Sequence, residues 1–282
     1  LPHHTKGLIF AHIAAVLFGM TGILGALIST DANFITFGRA SFAFIALALV
    51  GYTLKVPLNP MMSRPLRRSL FLSGTLLAIH WITFFYAIKV GGVAMATLGF
   101  ASFPAFITLI ERFILKDTIS KSAWVLVAIV IIGLLLVSPE MDTKNINTTG
   151  LLWGILSGFS FASLAVINRT ISHALNPLAI AFWQNLIVAL VTIPLVLWSP
   201  PLLTSSDILW LFILGVICTA LSHYLFVSSV QYISARTTGL IIALEPVYAI
   251  IVAWLLFSEE PTLKMIIGGL LIIGAAIYPK TT

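Results

Sequence analysis

Apolar positions in this sequence neither alternate nor recur every three or four residues. They run on in stretches of about twenty, interrupted by short gaps that hold proline, glycine and charge. A hydrocarbon core about 30 Å thick needs about 20 apolar residues in helical form, because a helix rises about 1.5 Å per residue. Ten runs of roughly that length stand out: residues 7–29, 34–54, 67–89, 92–115, 121–138, 150–171, 178–198, 206–231, 235–257 and 262–279. The pattern predicts an all-α integral membrane protein of ten transmembrane helices. Only Lys89-Val90-Gly91-Gly92 separates the third run from the fourth, so these two come close to reading as one. The first run, Gly7 to about Ile28, exceeds the apolar core of a signal peptide and is expected to span.

Composition agrees with that class. Hydrophobic residues make up 60% of the 282 and charged residues 9%, against about 25% charged in a soluble domain. The formal net charge of +6 does not make a nucleic-acid surface, since only Arg67 and Arg68 are adjacent and no aromatic residues interleave with the basic ones. With ten spans and the N-terminus inside, eleven Lys and Arg residues fall on the cytoplasmic side. Four (Arg39, Lys89, Lys144 and Lys264) fall on the other, so both termini are expected in the cytoplasm. Cys218 is the single cysteine, which excludes an internal disulfide and a cysteine-based metal cluster. No phosphate-binding Gly-rich Lys loop, His-Glu-x-x-His or Gly-x-Ser-x-Gly occurs, so no cofactor, metal or catalytic residue is expected and ATP-driven transport is not indicated.

The two halves carry the same marks. Gly7-Leu8-Ile9-Phe10 and Gly150-Leu151-Leu152-Trp153 each open a run, and each reaches a phenylalanine eleven positions on, Phe18 and Phe161. Pro104 follows Phe103 in the fourth run, and Pro246 follows Glu245 in the ninth. Thirteen residues past each proline stands an acid, Asp117 or Glu259. Residues 1–140 and 141–282 therefore read as two five-helix repeats forming one functional unit. Five is odd, so the second repeat enters the membrane inverted, the arrangement in which many carriers place a site at the repeat interface near the midplane.

These features resemble the EamA branch of the drug/metabolite transporter superfamily, the ten-helix bacterial type. The resemblance rests on the five-plus-five helices, Leu244-Glu245-Pro246, the acidic starts Lys116-Asp117 and Ser258-Glu259-Glu260, and Arg39 early in the second run. It covers nearly the whole chain on short motifs, and the first half departs from the pattern with Phe103 where the second has Glu245. It implies a multi-pass carrier of the bacterial inner membrane, not an enzyme, most similar to exporters of aromatic or other bulky amino acids.

The residues themselves point to a cavity. Proline within a spanning helix frees the carbonyl four residues earlier, here that of Phe100 before Pro104 and of Ile242 before Pro246, so both positions are expected to kink their helices. Glu245 is the one acid deep in a run, with substrate ammonium binding, proton carriage or a structural pair, to which Arg39 is a possible partner, as its open roles. His80 sits midway along the third run with Phe84 one turn on, while Ser222 and Phe226 hold the corresponding places in the eighth, beside His223. His80, His223 and Glu245 are the candidates for proton coupling. Phe18, Phe84, Phe100, Phe103, Phe161 and Phe226 are expected to give the cavity aromatic walls. Gly154-xxx-Gly158 and the series Gly19, Gly22, Gly25 suit close helix approach, and Trp183, Gln184 and Asn185 have the polarity to line a path.

The resulting expectation is a carrier that exports small metabolites, amino acids above all, by alternating access around a central cavity. Its partners are the substrate and membrane lipids. The uniformly apolar fifth and tenth helices would buttress the halves or pair two copies as a homodimer. A carrier of organic cations, drugs or nucleosides is the alternative, and a membrane enzyme or assembly factor the remote one.

Overall fold

Helix is the regular structure throughout the computed structural model, which describes residues 2–58, 63–116, 118, 120–137, 146–233, 235–242, 244–258 and 260–277. The first half holds α1 (His3–Leu27), α2 (Ala32–Thr53), α3 (Arg64–Phe100), α4 (Phe103–Phe113) and α5 (Lys121–Val137). The second holds α6 (Ile146–Ile171), α7 (Pro177–Trp198), α8 (Ser205–Gly215), a π-helical turn (Val216–Leu221), α9 (Ser222–Tyr232), α10 (Ala235–Ile242), α11 (Glu245–Phe257) and α12 (Leu263–Ile277). Six of these rods are long and apolar enough to cross a membrane: α1, α2, α3, α6, α7 and the continuous stretch Ser205–Tyr232. Shorter apolar helices, Val127–Leu136 within α5, Glu245–Phe257 and Leu263–Gly274, complete the set among the described residues. Asp117, Glu259 and the junction at residues 140–141 lie outside those residues.

Three breaks along the runs have local causes. The third and fourth runs follow one another in α3 as two helical segments that meet at Gly92, whose φ of 79° and ψ of 172° cost glycine little and other residues much. The fourth run continues past Phe100 only after a step at Ala101-Ser102, where the Ser102 hydroxyl donates to the Gly99 carbonyl at 2.7 Å. The ninth run is likewise split between Ile242 and Glu245. Pro104 and Pro246 therefore do not bend continuous helices, as the sequence suggests. Each stands in the first turn of a new one, where a missing N–H costs nothing.

Helix starts are capped by short polar side chains: Asp31 accepts from the Phe34 amide at 2.9 Å, and Asn176, followed by Pro177, accepts from that of Leu178 at 2.9 Å. The strongest cap also joins two helices. Asp207, buried in the first turn of α8, forms a capping box with Thr204 and accepts from both the amide and the hydroxyl of Ser29 at 2.7 Å, just past the end of α1. Lys89 donates to the Ile28 carbonyl at the same end of the molecule. Asp207→Ala is expected to leave these amides without acceptors and to cost roughly 2 kcal/mol, read as a lower thermal midpoint of the purified protein in detergent.

Packing at the centre is backbone against backbone. A methyl group built on Gly150 would meet the Gly91 Cα at 2.6 Å, one on Gly154 the Ala96 carbonyl at 2.7 Å, and one on Gly158 the Phe100 carbonyl at 2.8 Å. One glycine per helical turn on α6 thus lets α3 lie directly on it, and the carbonyl left free before Pro104 faces Gly158 rather than lipid. On α1, small buried residues recur at Gly7, Ala11, Ala15 and Gly19; Gly7 packs on Tyr232 and Ile233, and Gly19 on Tyr248 and the Glu245 carbonyl. Helices α5 and α12 pack on each other, Gly133 against Ile272 and Gly268, with outward faces such as Ile131, Leu135, Ile266 and Leu270 exposed.

Candidate functional site

Where α1, α2, α3, α6, α9 and α11 converge, they enclose a central cavity. α1 contributes Phe18 and Thr21, α3 His80, Trp81, Phe84 and Phe100, α6 Phe161, and α9 His223 and Phe226; Arg39 comes from α2 and Glu245 from the first turn of α11. The free volume is about 30 Å³, room for a water molecule or two. Rings close it on most sides: His80 lies 5.1 Å from both Phe100 and Phe161, Phe84 5.8 Å from Phe100, and Phe18 6.1 Å from Phe226.

Hydrogen bonds fix how the two histidines present themselves. The Ser157 hydroxyl donates to the His80 backbone carbonyl at 3.1 Å, so its oxygen is free to accept from His80 Nδ1–H at 2.7 Å. That tautomer leaves Nε2 as an acceptor. In α9 the logic reverses. Asn185 must turn its NH2 toward the Ala181 carbonyl at 2.8 Å, and the same group donates to His223 Nδ1 at 3.2 Å. His223 therefore carries its proton on Nε2 as a donor.

The charged pair is arranged differently from the histidines. Arg39 is buried to 1% exposure. Its Nε donates to the Thr219 hydroxyl at 2.9 Å, and its guanidinium lies 3.9 Å from the Trp81 ring centre and 5.3 Å from that of Phe85. Thr219 in turn donates to the Leu214 carbonyl at 2.6 Å, inside the π-helical turn, and Gly215 lets α2 approach so closely that an added methyl would meet the Arg39 carbonyl at 2.8 Å. Nη1 of Arg39 has no hydrogen-bond partner. Glu245 is 5% exposed, and among the described residues its carboxylate neither accepts a hydrogen bond nor pairs with Arg39.

Of the residues singled out in the sequence, Phe18, His80, Phe84, Phe100, Phe161, Phe226, His223 and Glu245 meet at this cavity. Phe103 and Ser222 do not line it. Phe103 stacks behind Phe100 at 5.0 Å because the step at Ala101-Ser102 turns it away, and the Ser222 hydroxyl is spent on the Cys218 carbonyl at 2.6 Å. Gln184 and Asn185 are fully buried: Gln184 donates to Ser73 at 2.7 Å and Asn168 at 2.6 Å, joining α3, α6 and α7, while Trp183 reaches the Leu58 carbonyl at 2.6 Å. Sequence reasoning offered Arg39 as a possible partner of Glu245 but not as a cavity residue, because it was counted as charge flanking its span. Its place five residues inside an apolar run was the signal available. Trp81 and Ser157 carried no signal of their own.

A chain of buried, glycine-packed helices around a small polar-and-aromatic cavity is the build of a membrane transporter. The chain belongs to the EamA-like transporter family, whose model matches twice, over residues 5–138 and 148–278. It is similar to the S-adenosylmethionine uptake transporter of Rickettsia prowazekii (strain Madrid E), 25% identical over 281 residues that cover 99% of this chain and 93% of that protein. It is also similar to the pseudopaline exporter CntI of Pseudomonas aeruginosa (strain UCBPP-PA14), 25% identical across 98% of this chain and 96% of that one. A solved crystal structure shares the fold with a TM-score of 0.72 at 15% identity, covering 97% of this chain and 96% of its own.

Proposed function

We propose that this transporter is an inner-membrane carrier that exports small metabolites of the amino-acid class with an aromatic or bulky body, by alternating access. The observation that carries the reading is the central cavity, which gathers an arginine, a glutamate, an acceptor histidine and a donor histidine within aromatic walls. About 30 Å³ admits no metabolite, so the helices must separate for substrate to enter. The places for such movement are the breaks before Pro104 and Pro246, which stand at corresponding points of the two halves. In support of residues 1–140 and 141–282 as inverted five-helix repeats in a ten-pass chain, the small-residue stripe at 7, 11, 15 and 19 recurs at 150, 154, 158 and 162. Both termini then lie in the cytoplasm. The substrate named for the rickettsial relative, S-adenosylmethionine, combines an α-amino acid with a large aromatic system, and the names of the relatives include both directions of movement.

The test is uptake and counterflow of labelled amino acids and S-adenosylmethionine in liposomes holding the purified protein, with and without an imposed pH gradient. Saturable flux of bulky amino acids or S-adenosylmethionine is expected, and a gradient effect assigns proton coupling to His80, His223 or Glu245. Flux of organic cations or nucleosides in place of amino acids would overturn the substrate class.

A further inference from the structure

Arg39 and Glu245 face one cavity without pairing, and that arrangement defines a ligand. Three contacts position the guanidinium: the bond from Nε to Thr219, the face of Trp81 and the face of Phe85. These use one donor and the flat surface of the group. Nη1 is left buried and unpartnered, a donor that no protein atom answers. A planar guanidinium held this way matches the two oxygens of a carboxylate better than any other small anion-bearing group of an organic metabolite. On α11 Glu245 is also buried, at 5% exposure, and its carboxylate has no hydrogen-bond partner among the described residues. A buried charge without a direct partner costs several kcal/mol, so Arg39 gains from a ligand carboxylate, and a ligand ammonium favours the ionised form of Glu245.

Resting on the carrier reading above, we infer that the cavity is a zwitterion site, with Arg39 taking the carboxylate and Glu245 the ammonium of an α-amino acid group. A monopolar amine or a monopolar acid satisfies one of the two charges and leaves the other stripped of water, so the site rejects both. The remainder of the ligand meets Phe100, Phe161 and Phe226, with His80 Nε2 available to accept one hydrogen bond and His223 Nε2–H to donate one. His80 and His223 thus read the body of the ligand, while the two charges read its head. Breadth across bulky amino-acid derivatives follows, because rings discriminate shape weakly and the paired charges discriminate strongly.

The experiment is counterflow of labelled L-phenylalanine and S-adenosylmethionine in liposomes, competed with 2-phenylethylamine, which lacks the carboxylate, and with 3-phenylpropionate, which lacks the ammonium. Unlabelled phenylalanine is expected to compete at least tenfold more effectively than either analogue. Arg39→Gln is expected to remove the preference over the amine, and Glu245→Gln the preference over the acid, each by about tenfold in the ratio of half-inhibitory concentrations. A purely structural Arg39, holding the π-helical turn through Thr219, lowers flux of all compounds together and leaves the ratios alone. That result overturns the inference, as does competition by either analogue as effective as that of phenylalanine in the wild type, and in both cases the carrier stands. Failure of both labelled zwitterions to move at all, with the protein folded, takes down the amino-acid carrier reading itself.

Discussion

Gly154→Leu is expected to abolish recovery of a folded, monodisperse protein from membranes, read by size-exclusion of a fluorescent fusion. A Cβ at position 154 meets the Ala96 carbonyl at 2.7 Å, the Gly99 Cα at 3.1 Å and the Phe100 amide nitrogen at 3.3 Å. All three are backbone atoms of α3, so no side chain can swing aside, and the rest of the leucine has nowhere to go but between the helices. Overpacking a core by ordinary side-chain strain costs about 1–3 kcal/mol, and a clash with backbone on both neighbouring turns exceeds that. The damage is also not local. α6 carries Ser157 and Phe161, and α3 carries His80, Trp81 and Phe100, so parting these helices dismantles the cavity. Gly274→Ala is the control: an added methyl there has nothing within 4 Å, and recovery at the wild-type level is expected.

How far the sequence reached follows from what lipid enforces. Run lengths translate into helices almost residue for residue where apolar length decides, as in residues 178–198 against Pro177–Trp198. Where the helix ends are set by neighbours, the runs mislead. The eighth run reads as one plain helix. Its π-helical turn depends on the Thr219 hydroxyl reaching the Leu214 carbonyl and on Gly215 meeting α2 at Arg39, contacts made across 180 residues of chain in the case of Arg39 and Thr219. The fourth and ninth runs were marked by proline, but the marker was displaced: a proline is as comfortable in the first turn of a helix as it is disruptive in the middle, and only the fold distinguishes the two.

The same division holds at the cavity. His80, His223 and Glu245 are legible because polar groups in an apolar run are anomalous wherever the run folds. The aromatic residues are legible as a set but not one by one. Phe100 and Phe103 are three residues apart, the spacing of a shared helix face, and the step at Ala101-Ser102 sends one to the cavity and the other behind it. Arg39 was hidden by its own plausibility, since an arginine near the end of a span is ordinary, and only its neighbours Trp81, Phe85 and Thr219 show that it turns inward. Counting it as flanking charge had also placed it among the residues that set orientation, from which its burial removes it.

The largest effect on transport without loss of fold is expected from His80→Ala. The fold survives because the bond from the Ser157 hydroxyl ends on the backbone carbonyl of residue 80, which alanine keeps. The aromatic cluster loses its centre, since the imidazole lies within 5.1 Å of both Phe100 and Phe161, and the cavity loses the acceptor at Nε2. One buried hydrogen bond to a ligand is worth about 1–3 kcal/mol when removed, so turnover should fall by roughly ten- to a hundredfold in the liposome assay, with folded protein still recovered and a thermal midpoint lowered by the emptied space and the lost bond to Ser157. His80→Phe fills the space without the acceptor and His80→Gln keeps an acceptor without the ring, which separates the two contributions. If hydrogen bonding dominates, the glutamine variant transports better than the phenylalanine one. If His80→Phe transports as well as the wild type, the imidazole is packing only, and recognition of the ligand body passes to His223 and the phenylalanine walls.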